Sequence, residues 1–355
     1  MKEKCTIGVL GMKVQMTKGK YEALTRLSDE HGLVIATALD QRGSLKKSLT
    51  KALGHEADVK HVEEFKVAVT EELTPYSTAI LLDPEFGWSA AEARDKQAGL
   101  LIAYEKTGYD ATVQGRLPDL LPEWSVRRYA DKGVDAIKIL MYYDPDDAAH
   151  INDQKHAFIE RIGAECKAND IPFFFEPVTY CDDIADAKGP EYAKVKPEKV
   201  KKSMREFTKP QYHLDCLKVE VPVNMTYVSG TAANRGHEAE AVYTREEALQ
   251  HFRDTASIAT VPFIYLSGGV SNEDFIETLE FAGEAGVPFS GVLCGRATWQ
   301  DGIAVYGENG DTGLRAWLKD EGVQRMEHLN RVLQQAAKPW WTVYGGKDQI
   351  VITES

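Results

Sequence analysis

The segment Cys216-Leu217-Lys218-Val219-Glu220-Val221-Pro222 reads as a short buried strand interrupted by a lysine and a carboxylate two residues apart. Side chains alternate across a strand, so Cys216, Lys218 and Glu220 share one face while Leu217, Val219 and Val221 share the other. Burying an ammonium is costly unless it is paired or used. Desolvation also lowers its pKa toward a neutral, nucleophilic amine. The competing structural reading is a lysine whose stem lies along a strand end while its head reaches water. Lys138 raises the same question inside Ala136-Ile137-Lys138-Ile139-Leu140-Met141-Tyr142, with Ile137, Ile139 and Met141 on the opposite face. Glu176 closes the run Phe173-Phe174-Phe175, and a carboxylate leaving an aromatic strand, its pKa expected to be raised, suits general acid/base work. Two strand lysines and a carboxylate on one rim make a kit for Schiff-base chemistry. One amine attacks a carbonyl, the second lowers its pKa by like-charge repulsion, and the acid moves protons. The residues alone leave open whether Lys218 or Lys138 is the nucleophile.

Two further stretches suit a phosphate. Leu266-Ser267-Gly268-Gly269-Val270-Ser271 reads as a strand opening through glycines into a helix, and Leu293-Cys294-Gly295-Arg296-Ala297 follows the last strand. Backbone N–H groups exposed by glycine, a helix start and an arginine are what a phosphate binds. Metal-assisted chemistry is the rival. The nine histidines show no HxH or HExxH spacing and none closes a strand, so a histidine-ligated metal is not expected. Asp144-Pro145-Asp146-Asp147 lacks EF-hand spacing and reads as an acidic loop.

The elements that must position these groups alternate along the chain. Strand runs are expected at Leu33 to Leu39, Ala79 to Leu82, Leu100 to Tyr104, Ala136 to Tyr142, Pro172 to Phe175, Cys216 to Val221, Phe263 to Ser267 and Gly291 to Cys294. Helical patterns lie between them at Val59 to Leu73, Glu123 to Lys132, Asp153 to Lys167, Pro197 to Phe207, Thr244 to Ile258 and Asn272 to Ala285. Thr244-Arg245-Glu246-Glu247 has the capping-box form. Eight strand-like runs alternating with helices predict an α/β chain closed into a (β/α)8 TIM barrel. An open doubly wound sheet is the alternative, but no GxGxxG follows the first strand, so no dinucleotide cofactor is expected. In a barrel, the polar residues at the strand ends converge on one face: Asp40 with Gln41 and Arg42, Asp83 with Glu85, Lys138, Glu176, Lys218 with Glu220, Ser267 and Arg296. For Asp83-Pro84 a simple turn is the favoured reading.

No linker cuts the chain, so a single domain spanning residues 1–355 is expected. Residues 1–28 form a basic, helix-compatible lead-in, and an aromatic tail at 339–355 carries Trp340, Trp341 and Tyr344. That tail is expected to pack on the barrel or on a second subunit, and a homo-oligomer, a dimer in its simplest form, is the expected assembly. The net charge of −13 argues against a nucleic-acid partner. Five scattered cysteines argue against a disulfide framework, and charges at Lys2, Glu3 and Lys4 beside a short apolar run argue against a leader or a membrane span. A cytoplasmic location is expected.

On these residues the chain resembles the tagatose 1,6-bisphosphate aldolase family, metal-free class I barrel aldolases. The matching motifs are Ala38-Leu39-Asp40-Gln41-Arg42-Gly43, Ile80-Leu81-Leu82-Asp83-Pro84-Glu85-Phe86-Gly87 and Ala103-Tyr104-Glu105-Lys106-Thr107-Gly108-Tyr109-Asp110. Further on come Arg161-Ile162-Gly163, Lys218-Val219-Glu220-Val221-Pro222-Val223-Asn224 and Gly291-Val292-Leu293-Cys294-Gly295-Arg296-Ala297-Thr298-Trp299. The resemblance implies cleavage of a ketohexose 1,6-bisphosphate, without a cofactor, to dihydroxyacetone phosphate and glyceraldehyde 3-phosphate. It implies Lys218 as the Schiff-base lysine, Glu176 as the acid/base, and Lys138 and Asp40 as supporting residues. Gln41, Arg42, Ser267, Gly268, Gly269, Gly295 and Arg296 then hold substrate and its phosphates. Glu176 is followed by Pro177-Val178, a pair more like related sulfo-sugar phosphate aldolases. A sulfonated or other phosphorylated ketose is therefore the alternative substrate, and a non-catalytic sugar-phosphate sensor the second alternative.

Overall fold

The computed structural model describes residues 13–106 and 112–354. Cys5, the N-terminal apolar run and its flanking charges, and Thr107 to Asp110 of the third matching motif lie outside the described residues. The strands are β1 (Val14–Thr17), β2 (Val34–Ala38), β3 (Ala79–Leu82), β4 (Gly99–Ala103), β5 (Ala136–Tyr143), β6 (Phe173–Thr179), β7 (Cys216–Val219), β8 (Phe263–Leu266), β9 (Gly291–Cys294) and β10 (Ile350–Thr353). Strands β2 to β9 pair in parallel and in chain order, and β9 returns to β2 to close an eight-stranded barrel. All eight expected strand runs are barrel strands.

Both faces of a parallel barrel strand are covered, so these strands read as continuous apolar runs and not as alternating ones. Their inward set is compact: Ala36, Ala38, Leu81, Ala103, Ala136, Phe174, Cys216, Ile264 and Leu293 fill the interior. The outward set, including Ile80, Ile102, Ile137, Phe175, Leu217, Tyr265 and Val292, packs on the helices. Helix Val59–Leu73 has its expected bounds, with Asp58 accepting from the His61 N–H at 3.0 Å in a capping box. Helices Gly43–Leu53, Trp88–Ala93, Gly302–Trp317 and Val323–Ala336 are additions to the expected set. The third of these carries Gly307, Gly310 and Gly313, and Gly310 adopts φ +63°, so its sequence signals breaks rather than a helix.

The lead-in is a strand followed by helix Lys18–Arg26, and β1 pairs with β10 from the tail, in parallel and outside the barrel. Trp340 is buried against Met16, Leu24, Leu27 and the inward-facing barrel residues, so the tail packs on its own barrel. Three aspartates, each just before a strand, fasten this plug. Asp135 accepts from Arg26 at 2.7 Å, Asp170 from the Gly19 N–H at 2.9 Å and from Thr17, and Asp215 from Lys20 at 2.7 Å. The Trp340 N–H donates to Gly32 O at 2.9 Å, and Lys338 N–H to Phe289 O at 2.8 Å. Five strand starts are thus tied to one cap, which marks that end as the closed one. Among the described residues no helix is long and apolar enough to cross a membrane.

Candidate active site

Strand parity assembles the site at the opposite, open end. Ala38, Ala103, Ala136, Phe174 and Cys216 point inward. Two residues further along, on the same face, stand Asp40, Glu105, Lys138, Glu176 and Lys218. The small residues below leave the lysine stems room, and the charged heads form one layer above them. Lys138 is 0% exposed, and Glu176, Glu105 and Lys218 are each 5% exposed.

Lys138 Nζ sits at the centre, 2.9 Å from Asp40 Oδ2, 3.1 Å from Glu105 Oε1 and 2.8 Å from Glu176 Oε2. Glu176 turns its other oxygen to Lys218 Nζ at 3.0 Å, so one carboxylate bridges both amines. The contacts are not equivalent. Asp40 and Glu105 accept hydrogen bonds from Lys138, and Glu176 Oε2, the closest of the three, meets it as an ion pair. Burial alone would lower the Lys138 pKa, but Asp40, Glu105 and Glu176 outweigh it and hold the ammonium well above its usual range. Burial likewise pushes the Asp40 carboxyl up, yet Lys138 and Lys218 prevail and keep it well below the ordinary carboxylate value. The Lys138 ammonium is surrounded by three carboxylates, and what Lys218 meets directly is Glu176.

A second layer of charge supports the first. Lys66, fully buried, donates to Leu39 O at 2.6 Å and to Asp83, while Arg42 places Nε 3.5 Å from Asp83 Oδ1. Asp83 also accepts from the Glu85 and Phe86 N–H groups at 3.0 and 2.9 Å, so it is a turn residue and a buried ion-pair partner at once. Arg42 Nη2 donates to Glu105 O at 2.9 Å, and its guanidinium is thereby engaged by protein on two sides. Glu220 does not join the lysines. Its carboxylate accepts from Thr179 N–H at 2.7 Å and Thr179 Oγ1 at 2.5 Å, binding the end of β6 to the segment after β7.

The phosphate-type residues cluster on the β8–β9 side of the mouth. Gly268 and Gly269 take φ +62° and +78°, and a Cβ on Gly269 would lie 2.7 Å from the Arg296 guanidinium carbon. Arg296 is exposed, and among the described residues no carboxylate pairs with it. Ser267 hydrogen-bonds the Cys294 thiol, which burial pushes up to about 12. A Cβ on Gly295 would meet Ala38 O at 3.1 Å and Gln41 Nε2 at 3.6 Å, so Gln41 borders the same opening. The acidic loop at Asp144 to Asp147 is neutralised by Lys155, Lys199 and Lys202. Glu105 is the member of the charged layer that sequence reading did not single out. Its signal was parity with Ala103, one residue beyond the apolar run that ends at Tyr104.

A family model of the DeoC/LacD aldolases matches residues 34–301, the whole barrel. The chain belongs to the DeoC/LacD aldolase family. As a member it is an enzyme, an aldehyde lyase. The tagatose 1,6-diphosphate aldolase of Listeria monocytogenes serotype 4a is 54% identical over 341 residues, 96% of this chain and 99% of that one. The tagatose 1,6-diphosphate aldolase 2 of Enterococcus faecalis is 55% identical over 325 residues, covering 92% and 96%. Solved structures share the fold of this DeoC/LacD aldolase at low identity. A Schiff-base-forming fructose-1,6-bisphosphate aldolase aligns with TM-score 0.52 at 16% identity, covering 83% of this chain and 96% of its own. The fructose-bisphosphate aldolase of Plasmodium falciparum aligns with TM-score 0.65 at 15%, covering 92% and 98%.

Proposed function

We propose that this DeoC/LacD aldolase cleaves tagatose 1,6-bisphosphate, and epimers such as the fructose ester, through a Schiff base on Lys218. The observation that carries the reading is the buried Lys218–Glu176–Lys138 chain at the open end of the barrel, with Gly269 and Arg296 close together after the next two strands, β8 and β9. Neutral Lys218 attacks the C2 carbonyl to give a carbinolamine, and loss of water leaves an iminium. A carboxylate, Glu176, accepts the C4 hydroxyl proton as the C3–C4 bond breaks, and the bonding electrons move into the iminium to form an enamine. Glyceraldehyde 3-phosphate departs, C3 is protonated, and water hydrolyses the iminium to release dihydroxyacetone phosphate and free Lys218. Gly268, Gly269, Ser267 and Arg296 grip a phosphate so that the ketone lies against the amine, with Gln41 at the same rim. The two relatives named for tagatose 1,6-diphosphate support the choice of sugar. The enzyme acts in the cytoplasm as a homo-oligomer, a dimer being the simplest. Its aromatic tail is occupied by its own barrel, so such an assembly uses another face.

The test is borohydride reduction with substrate in excess EDTA, followed by mass mapping. A stable adduct on Lys218 is expected, with Lys218→Ala giving none and losing roughly 10⁴-fold or more in kcat. Activity abolished by chelation, or an adduct on Lys138, sinks the reading. Comparing tagatose, fructose and sulfofructose phosphates as substrates separates the candidate sugars.

A further inference from the structure

We infer that Arg116 is a specificity-determining residue that grips the second phosphate of a ketose 1,6-bisphosphate, on the β5–β6 side of the mouth. The inference rests on the reading of this chain as a ketose-bisphosphate aldolase with Lys218 as its Schiff-base lysine. Such a substrate carries a phosphate at each end of its carbon chain, and Ser267, Gly268, Gly269 and Arg296 account for one of them. The other needs donors of its own, and the barrel limits where they can stand. In the ring of eight strands β5 is four places from β9, directly opposite, and β7 with Lys218 is midway between them. A ketose held by one phosphate at β8–β9, with its carbonyl at Lys218, therefore extends its far end toward β5 and β6.

Arg116 is the cation held over those two strands. Tyr142 is four residues beyond Lys138, and Tyr180 four beyond Glu176, so both keep the inward face. Leu140 and Tyr142 are half-buried where their outward neighbours Met141 and Tyr143 are buried, as a lining of the opening should be. The Arg116 guanidinium carbon lies 4.1 Å from the Tyr180 ring centroid and 5.3 Å from that of Tyr142. Tyr180 is fixed in turn. Its hydroxyl donates to Asp147 and accepts from Lys155 at 3.1 Å, and the fully buried Lys155 ammonium lies 4.9 Å from its centroid. Arg116 is thus stacked on a rigid wall, and its own backbone takes φ +43°, a left-handed conformation that a non-glycine residue adopts at a cost.

Its donors are not used up. A guanidinium has five N–H donors in a planar fork that matches phosphate. One Nη2 N–H goes to Asp182 at 2.9 Å, and Nε is buried with no acceptor among the described residues. The Arg116 side chain is 21% exposed and that of Asp182 45%, and a part-exposed pair of this kind is weak enough for a dianion to take over the fork. The neighbouring lysines are committed: Lys155 to Asp147, Lys199 to Asp144 and Lys196 to Glu220. Arg116 is the cation on this side with a donor to spare.

The test compares cleavage of a ketose 1,6-bisphosphate with that of the matching ketose 1-phosphate, which lacks the remote dianion, in wild type, Arg116→Gln and Arg116→Lys. In Arg116→Gln the ratio of kcat/KM for the bisphosphate to kcat/KM for the 1-phosphate falls about 30-fold or more, because only the first substrate loses a charge-assisted contact. Arg116→Lys keeps the charge without the fork, and its ratio lies between Arg116→Gln and wild type. In the synthetic direction KM for glyceraldehyde 3-phosphate rises in Arg116→Gln, while KM for dihydroxyacetone phosphate stays within about two-fold of wild type. The borohydride adduct of dihydroxyacetone phosphate on Lys218 forms as in wild type. An equal loss on both substrates marks a merely structural role and overturns the inference, as does an unchanged ratio or a rise in KM confined to dihydroxyacetone phosphate. Should Arg116→Gln fail to fold, Arg116→Lys decides it on the same ratio. Absence of a Lys218 adduct in the wild-type enzyme overturns the Schiff-base reading instead, and the substrate ratio still judges Arg116.

Discussion

At the scale of single residues, the site is a problem in placing charge where water is scarce. Buried ions are tolerated when paired, and breaking a pair costs more than the pair contributes. Asp40 shows which way the balance falls, since its carboxyl is held below the usual range by Lys138 and Lys218 despite burial. A carboxyl depressed in the folded state stabilises the fold at any pH above its unfolded value, near 4, and that stabilisation drains away as pH falls through the folded value. Asp40→Asn should therefore melt at lower temperature than wild type at pH 7, with the gap narrowing as the medium is acidified below about pH 4. Calorimetry across pH 3 to 7 measures this, and two parallel Tm–pH curves would refute it. Lys138 works in the opposite sense: raised by its carboxylates, it keeps its contribution through neutral and mildly alkaline pH. Lys218 and Glu176 could be nominated from sequence because a charge inside an apolar strand is conspicuous. Glu105 escaped because it stands just past the apolar run, where charge is unremarkable; only parity with Ala103 distinguishes it.

At the scale of elements, the open and closed ends of the barrel are held by different means. The open end relies on side chains in the layer above Ala38, Ala103 and Ala136, while the closed end relies on aspartates that accept from the lead-in helix and β1. Asp170 is the most constrained of these, with φ +52°, a left-handed conformation that Asp tolerates better than most residues. Asp170→Ala should lose roughly 1–3 kcal/mol through the freed Thr17 hydroxyl and Gly19 N–H, plus the backbone penalty. Its kcat, measured on the folded enzyme, should be unchanged, because the plug lies at the far end of the strands; urea unfolding paired with steady-state assays checks both. A concurrent fall in kcat would show that the two ends are coupled. These anchors were illegible in the sequence, since Asp135, Asp170 and Asp215 look like ordinary loop residues before strands. Their partners are 109, 151 and 195 residues away, a separation that periodicity does not encode. Gly163, part of a family motif, has a plain structural reason: a Cβ there would run into Tyr212 O, so only glycine lets helix Ala149–Ala168 approach.

At the scale of the whole molecule, the eight strands were legible because each is buried on both faces and bounded by breaks. The helices rich in glycine and the pairing of the two ends were not. That pairing joins Val14–Thr17 to Ile350–Thr353 side by side and in the same direction. A force applied between residues 13 and 354 pulls β1 from its start and β10 from its finish, which are opposite ends of a parallel ladder. The strands must slide past one another, so their hydrogen bonds are loaded together in shear and not unzipped one at a time. The barrel between them carries no tension until that clasp yields. Single-molecule pulling from these two points should show a distinct first rupture at the clasp, and Asp170→Ala should lower its force. Rupture with no such separate event would mean that the ends are fastened by the plug's side chains alone. The chain thus has a mechanical lock in the same place where it has no chemistry.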